Sequence, residues 1–240
     1  MLSRFAVVVV VSSLSVTLAL PAQAAAMHLH VSPTASEGFY AYQRHDYANA
    51  LRLWTIAANK GEPIAEFQIG HLYSNGEGVT KDLITGAAWV RKSADHGLAG
   101  GQFALGLMYS KGTGVAQDYA AAFSWEQKAA LLGFTQAAYM LGDFYANGQG
   151  VPADQNEAAK WYRKSAEEGN VQGQIWLADA YANGLGVKQD FAEAYFWYAE
   201  ATSQKDPAAL AGKSAMASHL TIAQLNKTNK RVATWKPSAN

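Results

Sequence analysis

The chain has 240 residues with 19 basic and 19 acidic side chains, so it carries no net charge. That balance argues against nucleic acid as a partner, because binding to a polyanion rests on a basic excess. There is no cysteine, which excludes a disulfide framework, a thiol nucleophile and a zinc knuckle.

The first 24 residues have the layout of a secretory signal peptide. Arg4 is a basic start, Phe5 to Leu20 is an apolar stretch, and Ala22-Gln23-Ala24 is a small-residue cleavage site. The stretch is short for a spanning helix. The mature form is therefore expected to begin at Ala25, to be periplasmic or secreted, and to hold no transmembrane segment. Residues 25–35 read as a flexible leader. It contains the one metal-like cluster, His28-Leu29-His30. An amino-terminal copper or nickel chelate needs histidine in third place, and a cut after Ala24 puts His28 fourth. No metal and no cofactor are expected.

Residues 36–236 read as one all-α array. A first hairpin spans about 38–60. It lacks the loop of the later units, carries Trp54 one place off their register, and looks closer to a tetratricopeptide unit. Four units follow, about 62–97, 98–133, 134–169 and 170–205. Gly76, Gly112, Gly148 and Gly184 are spaced by 36, as are Gly78, Gly114, Gly150 and Gly186, each followed by valine. Asp82, Asp118, Asp154 and Asp190 keep the step, and so do Trp89, Trp125, Trp161 and Trp197. A fixed period of this length signals a solenoid.

Inside a unit, Ala65, Phe67, Ile69, Leu72 and Tyr73 lie at helical spacing and define helix A. The columns Ala65/Gly101/Ala137/Gly173 and Gly70/Gly106/Gly142/Ala178 are always small. Interior glycine costs a helix roughly 1 kcal/mol against alanine, so these columns predict a close helix crossing. Gly76 is placed to end helix A in the left-handed conformation, and Asp82 to cap helix B. Asp154 with Glu157, and Asp190 with Glu193, have capping-box spacing. Helix B stops near Gly97, Gly133 and Gly169. The tryptophan column is expected in the core, stacking one hairpin on the next. The Gly-x-Gly follows a helix rather than a strand and lacks a third glycine, so it is not a dinucleotide loop.

The string Leu105-Gly106-Leu107-Met108-Tyr109, Gly112-Thr113-Gly114-Val115, Asp118, Ala122, Trp125, Ala129-Ala130 and Gly133 resembles the Sel-one-like repeat, a relative of the tetratricopeptide repeat. The resemblance covers about 38–205. It implies antiparallel helix pairs in a right-handed α/α superhelical solenoid, and an adaptor or scaffold role, exported in many bacterial members. A cysteine-rich branch is linked to β-lactam binding or hydrolysis, and this chain lacks those cysteines.

After Lys205, which stands where glycine stood before, Ala208 to His219 reads as a helix. Thr221 to Gln224 reads as a capping box opening another helix toward Trp235. These are capping helices, about 207–236. No acid follows Asp206, while Lys213, Lys227, Lys230, Arg231 and Lys236 do. This basic tail is read first as a solvated capping face and second as a contact for anionic envelope material.

Columns that change between units are free of packing duty. Gln68/Ala104/Met140/Trp176, His71/Leu107/Asp143/Asp179 and Asn75/Lys111/Asn147/Asn183 change, and their spacing puts them on one face of helix A. In stacked hairpins that face lines the concave side. The expected partner-binding residues are Gln68, His71, Leu107, Lys111, Met140, Asp143, Trp176 and Asp179, with Trp176 foremost as an interface anchor. No Gly-x-Ser-x-Gly or His-Glu-x-x-His occurs, and no catalytic residue is assigned. The expected function is a non-catalytic envelope scaffold that binds another protein. The alternatives are a cell-wall or exopolysaccharide binder, and a cell-wall or β-lactam hydrolase.

Overall fold

The computed structural model describes residues 7–11, 14–18 and 31–238. The expected cleavage site at Ala22–Ala24 and the His28/His30 pair lie outside these residues. Within the expected signal segment, β1 (Val7–Val11) and β2 (Leu14–Leu18) form an antiparallel ladder, with Val7 opposite Leu18. Strand was not expected here, and the β-branched valine run accounts for it. Strand β1 lies against the helix Pro63–Asn75.

From Pro33 to Thr234 the described residues form twelve α-helices packed in sequential pairs, an all-helical solenoid arrangement. The chain divides into two compact units, residues 1–134 and 135–240, and the division falls on a repeat boundary. The first unit holds α1 (Pro33–Gln43), α2 (Tyr47–Ala58), α3 (Pro63–Asn75), α4 (Leu83–Asp95), α5 (Ala99–Lys111) and α6 (Tyr119–Leu131). The second holds α7 (Thr135–Asn147), α8 (Gln155–Glu167), α9 (Val171–Asn183), α10 (Phe191–Ala201), α11 (Pro207–Ala217) and α12 (Ile222–Thr234). Odd-numbered α3 to α9 are the A helices and even-numbered α4 to α10 the B helices.

The repeating punctuation has a physical cause at each place. Gly112 ends α5 at φ 67°, and its N–H bonds the Met108 carbonyl. Gly114 is also left-handed, and a Cβ there would sit 2.1 Å from the Leu83 carbonyl oxygen. Only glycine lets this loop press on the start of the preceding B helix. Asp118 then closes the loop by donating its N–H to the Tyr109 carbonyl at 3.0 Å. Its carboxylate accepts from the Ala121 N–H at 3.0 Å and so caps α6. Asp82, Asp154 and Asp190 cap in the same way. The reciprocal half of the box is formed only at Thr221 and Gln224. Glu157 pairs instead with Lys160, and Glu193 with Arg231.

The small columns mark the expected close crossing. A Cβ on Gly70 would lie 2.7 Å from Val90, on Gly106 2.5 Å from Glu126, and on Gly142 2.4 Å from the Tyr162 ring. Trp54 belongs to the B-helix column that faces these small residues, against Gly38, one step after the tryptophans, which explains its register. It is fully buried and donates its indole N–H to the Ala35 carbonyl at 3.2 Å.

The tryptophan column itself departs from expectation. Trp89, Trp125 and Trp161 are half-buried. The residues that enter the crossing are the next ones, Val90, Glu126, Tyr162 and Tyr198. One residue turns about 100° around a helix, enough to move a side chain from the centre of the packed face to its edge. There, Lys92 lies 3.9 Å over the Trp89 ring and Lys128 3.8 Å over Trp125. Trp197 is the exception at 2% exposure. The C-terminal segment covers it, with Trp235 meeting its ring edge-on at 5.7 Å. Arg231 lies over Phe196, and the Ser238 N–H bonds the Glu167 carbonyl at 2.8 Å. The basic tail is thus docked onto its own unit, with Lys227 and Lys230 exposed.

Candidate partner-binding face

In the first unit the expected strip is largely covered. Gln68 and His71 on α3 and Leu107 on α5 are buried, and Lys111 alone of the four is exposed. Their openness was inferred from column variability, and the fold corrects it. The His71 ring is held by the Asn75 amide at 2.9 Å and lies 3.4 Å from Glu77. It also meets Tyr42 edge-on. Strand β1 lies along the same helix. His71, Leu107 and Lys111 do come together, with Phe67, Ala104 and Met108, around a cavity of about 90 Å³.

In the second unit the strip is open. Met140 and Asp143 on α7 and Asp179 on α9 are half-buried, and Trp176 on α9 is 42% exposed. The indole is not isolated. One face stacks on Tyr162 at 5.9 Å and 14°, and Tyr162 in turn stacks on Tyr139 at 6.5 Å and 29°. Tyr162 donates its hydroxyl hydrogen to Asp143 Oδ1 at 2.7 Å. Tyr198 does the same to Asp179 Oδ1. Asn147 and Asn183 spend side-chain N–H groups on the carbonyls of Asp143 and Asp179, each at 2.9 Å.

Burial shifts the ionisation of this cluster. It pushes the Tyr139, Tyr162 and Tyr198 hydroxyls up, with the neighbouring carboxylates adding to the effect. Burial also raises Asp143, and the hydrogen bonds from Tyr162 and Tyr139 partly offset it. The three tyrosines were missed as site residues. Their signal was present: in the B-helix column where unit one has Val90 and Glu126, unit two has two tyrosines facing two aspartates.

Glu126 stands in that same column. It is fully buried, and neither carboxylate oxygen has a hydrogen-bond partner. Where Tyr162 and Tyr198 meet aspartate, Glu126 occupies the unit whose matching residue is Leu107. Burial pushes its carboxyl well above the usual range. Among the described residues no group of three or more His, Cys, Asp or Glu side chains is gathered that could hold a metal ion. No helix among them is long and apolar enough to cross a membrane.

Paired antiparallel helices, left-handed glycine stops and aspartate caps at a 36-residue step define a helical-repeat solenoid protein. Sel1 repeats match residues 36–62, 63–98, 99–134, 135–170 and 171–206, and the chain belongs to the Sel1 repeat family. The first hairpin, which by sequence looked closer to a tetratricopeptide unit, is therefore a Sel1 repeat. The chain is similar to a protective antigen of uropathogenic Escherichia coli displaying an SLR fold, with 30% identity over 82% of this chain and a TM-score of 0.74. It spans 43% of that antigen's length. It is also similar to a Sel1 repeat protein from Oxalobacter formigenes, with 29% identity, a TM-score of 0.67, and coverage of 76% of this chain and 79% of that one. No curated protein sequence matches.

Proposed function

We propose that this protein is an exported scaffold of the bacterial cell envelope, periplasmic or secreted, that binds a partner protein on its A-helix strip and performs no chemistry of its own. The observation that carries the reading is Trp176. It fills a column held elsewhere by Gln68, Ala104 and Met140, so the repeat does not require it. It is nevertheless exposed and braced from behind by Tyr162. A large rigid aromatic held outward is what interface anchors are made of. Crosslinking in intact cells, followed by pull-down and mass spectrometry, tests the reading. A protein partner captured by the native chain and lost with Trp176→Ala is the expected result.

The exposed aromatic and, elsewhere in the same unit, the exposed lysines of α12 favour one second reading, a cell-wall or exopolysaccharide binder. Sedimentation with purified wall in place of protein capture would select it. Turnover of a reporter β-lactam or of wall would select the hydrolase and overturn both.

A further inference from the structure

We propose that the Trp176 face, together with Asp143 and Asp179, is a seat for an arginine side chain presented by the partner protein. The inference rests on reading the A-helix strip as a protein-binding face, and it names the chemistry that this face selects. In the second unit the strip is formed by Met140, Asp143, Asn147, Trp176, Asp179 and Asn183. It holds two carboxylates and no cation. Asp143 takes the Tyr162 hydroxyl on Oδ1 and is hydrogen-bonded by Tyr139 as well, while Asp179 takes the Tyr198 hydroxyl on Oδ1. Each asparagine gives one of its two side-chain N–H donors to the helix backbone, which leaves its amide oxygen and one N–H for a ligand. The formal charge of the strip is therefore wholly negative, and its acceptors outnumber its donors.

The aromatic adds a shape. One indole face is covered by the nearly parallel Tyr162 ring, and 42% of Trp176 remains exposed. Asp179 is three residues on from Trp176, on the same helix face. Asp143 sits beneath the stack through its bond to Tyr162. A flat cation that stacks on the open indole face while donating hydrogen bonds toward the neighbouring carboxylates, Asp179 first, suits this arrangement. Guanidinium has that form: it is planar, always charged, has five donors and no acceptor, and stacks on aromatic faces. A sugar also stacks, but it is neutral, and the strip's two carboxylates favour a cation.

The test is a titration of the full protein at physiological salt with four probes. These are a blocked dodecapeptide alternating arginine and alanine, the lysine–alanine and glutamate–alanine equivalents, and a β-1,4-linked N-acetylglucosamine hexamer. The readout is the Trp176 indole N–H resonance, assigned among the seven tryptophans by its loss in Trp176→Phe. The expected result is that the arginine peptide moves this resonance, the lysine peptide moves it at higher concentration, and the glutamate peptide and the glycan leave it unmoved. Asp179→Asn and Asp143→Asn should each weaken arginine binding roughly tenfold, the scale of one charge-assisted hydrogen bond. Asp179→Asn, checked for an unchanged melting temperature, carries the test if Asp143→Asn perturbs the stack. Movement by the glycan and not by arginine overturns the proposal in favour of carbohydrate, and arginine binding, followed by calorimetry for these variants, that is indifferent to Trp176→Ala and Asp179→Asn overturns it outright. A crosslinked protein whose capture survives these substitutions removes the arginine seat and leaves the scaffold. An arginine titration that succeeds while no protein is captured from cells does the reverse.

Discussion

Trp176 and Glu126 sit at two ends of one trade between exposure and burial. Trp176 stacks on Tyr162 through one face and hydrogen-bonds Tyr139 at its edge, so Trp176→Ala removes a stacking contact and one partly exposed hydrogen bond but little core. The expected stability change is about 0.5 kcal/mol or less, as for surface changes away from packing features. A collapse of the melting temperature would show the residue to be structural. Glu126 is the opposite case, a fully buried carboxyl with no protein hydrogen-bond partner. Its folded pKa is raised, so the folded state holds its proton where the unfolded state loses it. Below pH about 4.5, the ordinary value of this group, both states are protonated and the residue costs nothing by this route. As pH rises above that, the unfolded state ionises first and stability falls, by up to about 1.4 kcal/mol per pH unit, until the folded pKa is reached. Glu126→Gln removes this slope. Urea unfolding should find the variant more stable by at least about 1 kcal/mol at pH 8, with the gain gone near pH 4. A gain that does not change with pH would show that Glu126 is not held protonated.

At the scale of the repeat element, the B helix meets its neighbours through a face one residue away from where the tryptophans point. Trp125 is half-buried with Lys128 over its ring, so Trp125→Ala should cost about 1–2 kcal/mol. Trp197, covered by the terminal helices, should cost about 3–5 kcal/mol on the same change, the range for a buried large aromatic. Equal losses in urea unfolding would mean that the column is uniformly core after all. Loops separate in the same way. Gly61 and Gly114 are both left-handed, at φ 78° and 71°, but a Cβ on Gly61 meets nothing within 4 Å while one on Gly114 meets the Leu83 carbonyl. Gly61→Ala should therefore cost only the left-handed penalty of about 1–2 kcal/mol. Gly114→Ala must also displace backbone and should exceed it clearly in the same assay. The loops, caps and crossing columns were legible in the sequence because each is fixed by backbone geometry, which recurs at every copy. The burial of Gln68, His71 and Leu107 was not legible. Variability between copies reports freedom from shared packing, and says nothing of a neighbour such as Tyr42 or β1 that touches only one copy. The tyrosine–aspartate pairs of the second unit were missed for the related reason that they pair two columns on different helices, and each column was read alone.

At the scale of the whole chain, the repeats account for residues 36–206, and the segments on either side have different parts to play. The C-terminal end is structural: α11 and α12 pack on α10, and the Thr221 box starts α12. The N-terminal end poses the question of export. The basic start at Arg4, the apolar stretch to Leu20 and the Ala22-Gln23-Ala24 site make removal of the first 24 residues the expected outcome. Removal would also take β1 away from α3, the helix that carries Gln68 and His71. If β1 covers those two residues, export opens the first unit's part of the strip. Amino-terminal sequencing of the protein from culture supernatant and periplasmic extract should read from Ala25. Probing the exported and the uncut forms by hydroxyl-radical footprinting should find His71 protected in the uncut form and modified in the exported one. Recovery of intact Met1 in a membrane fraction would overturn the export. Equal protection of His71 in both forms would show that the helices themselves, rather than β1, cover that part of the strip.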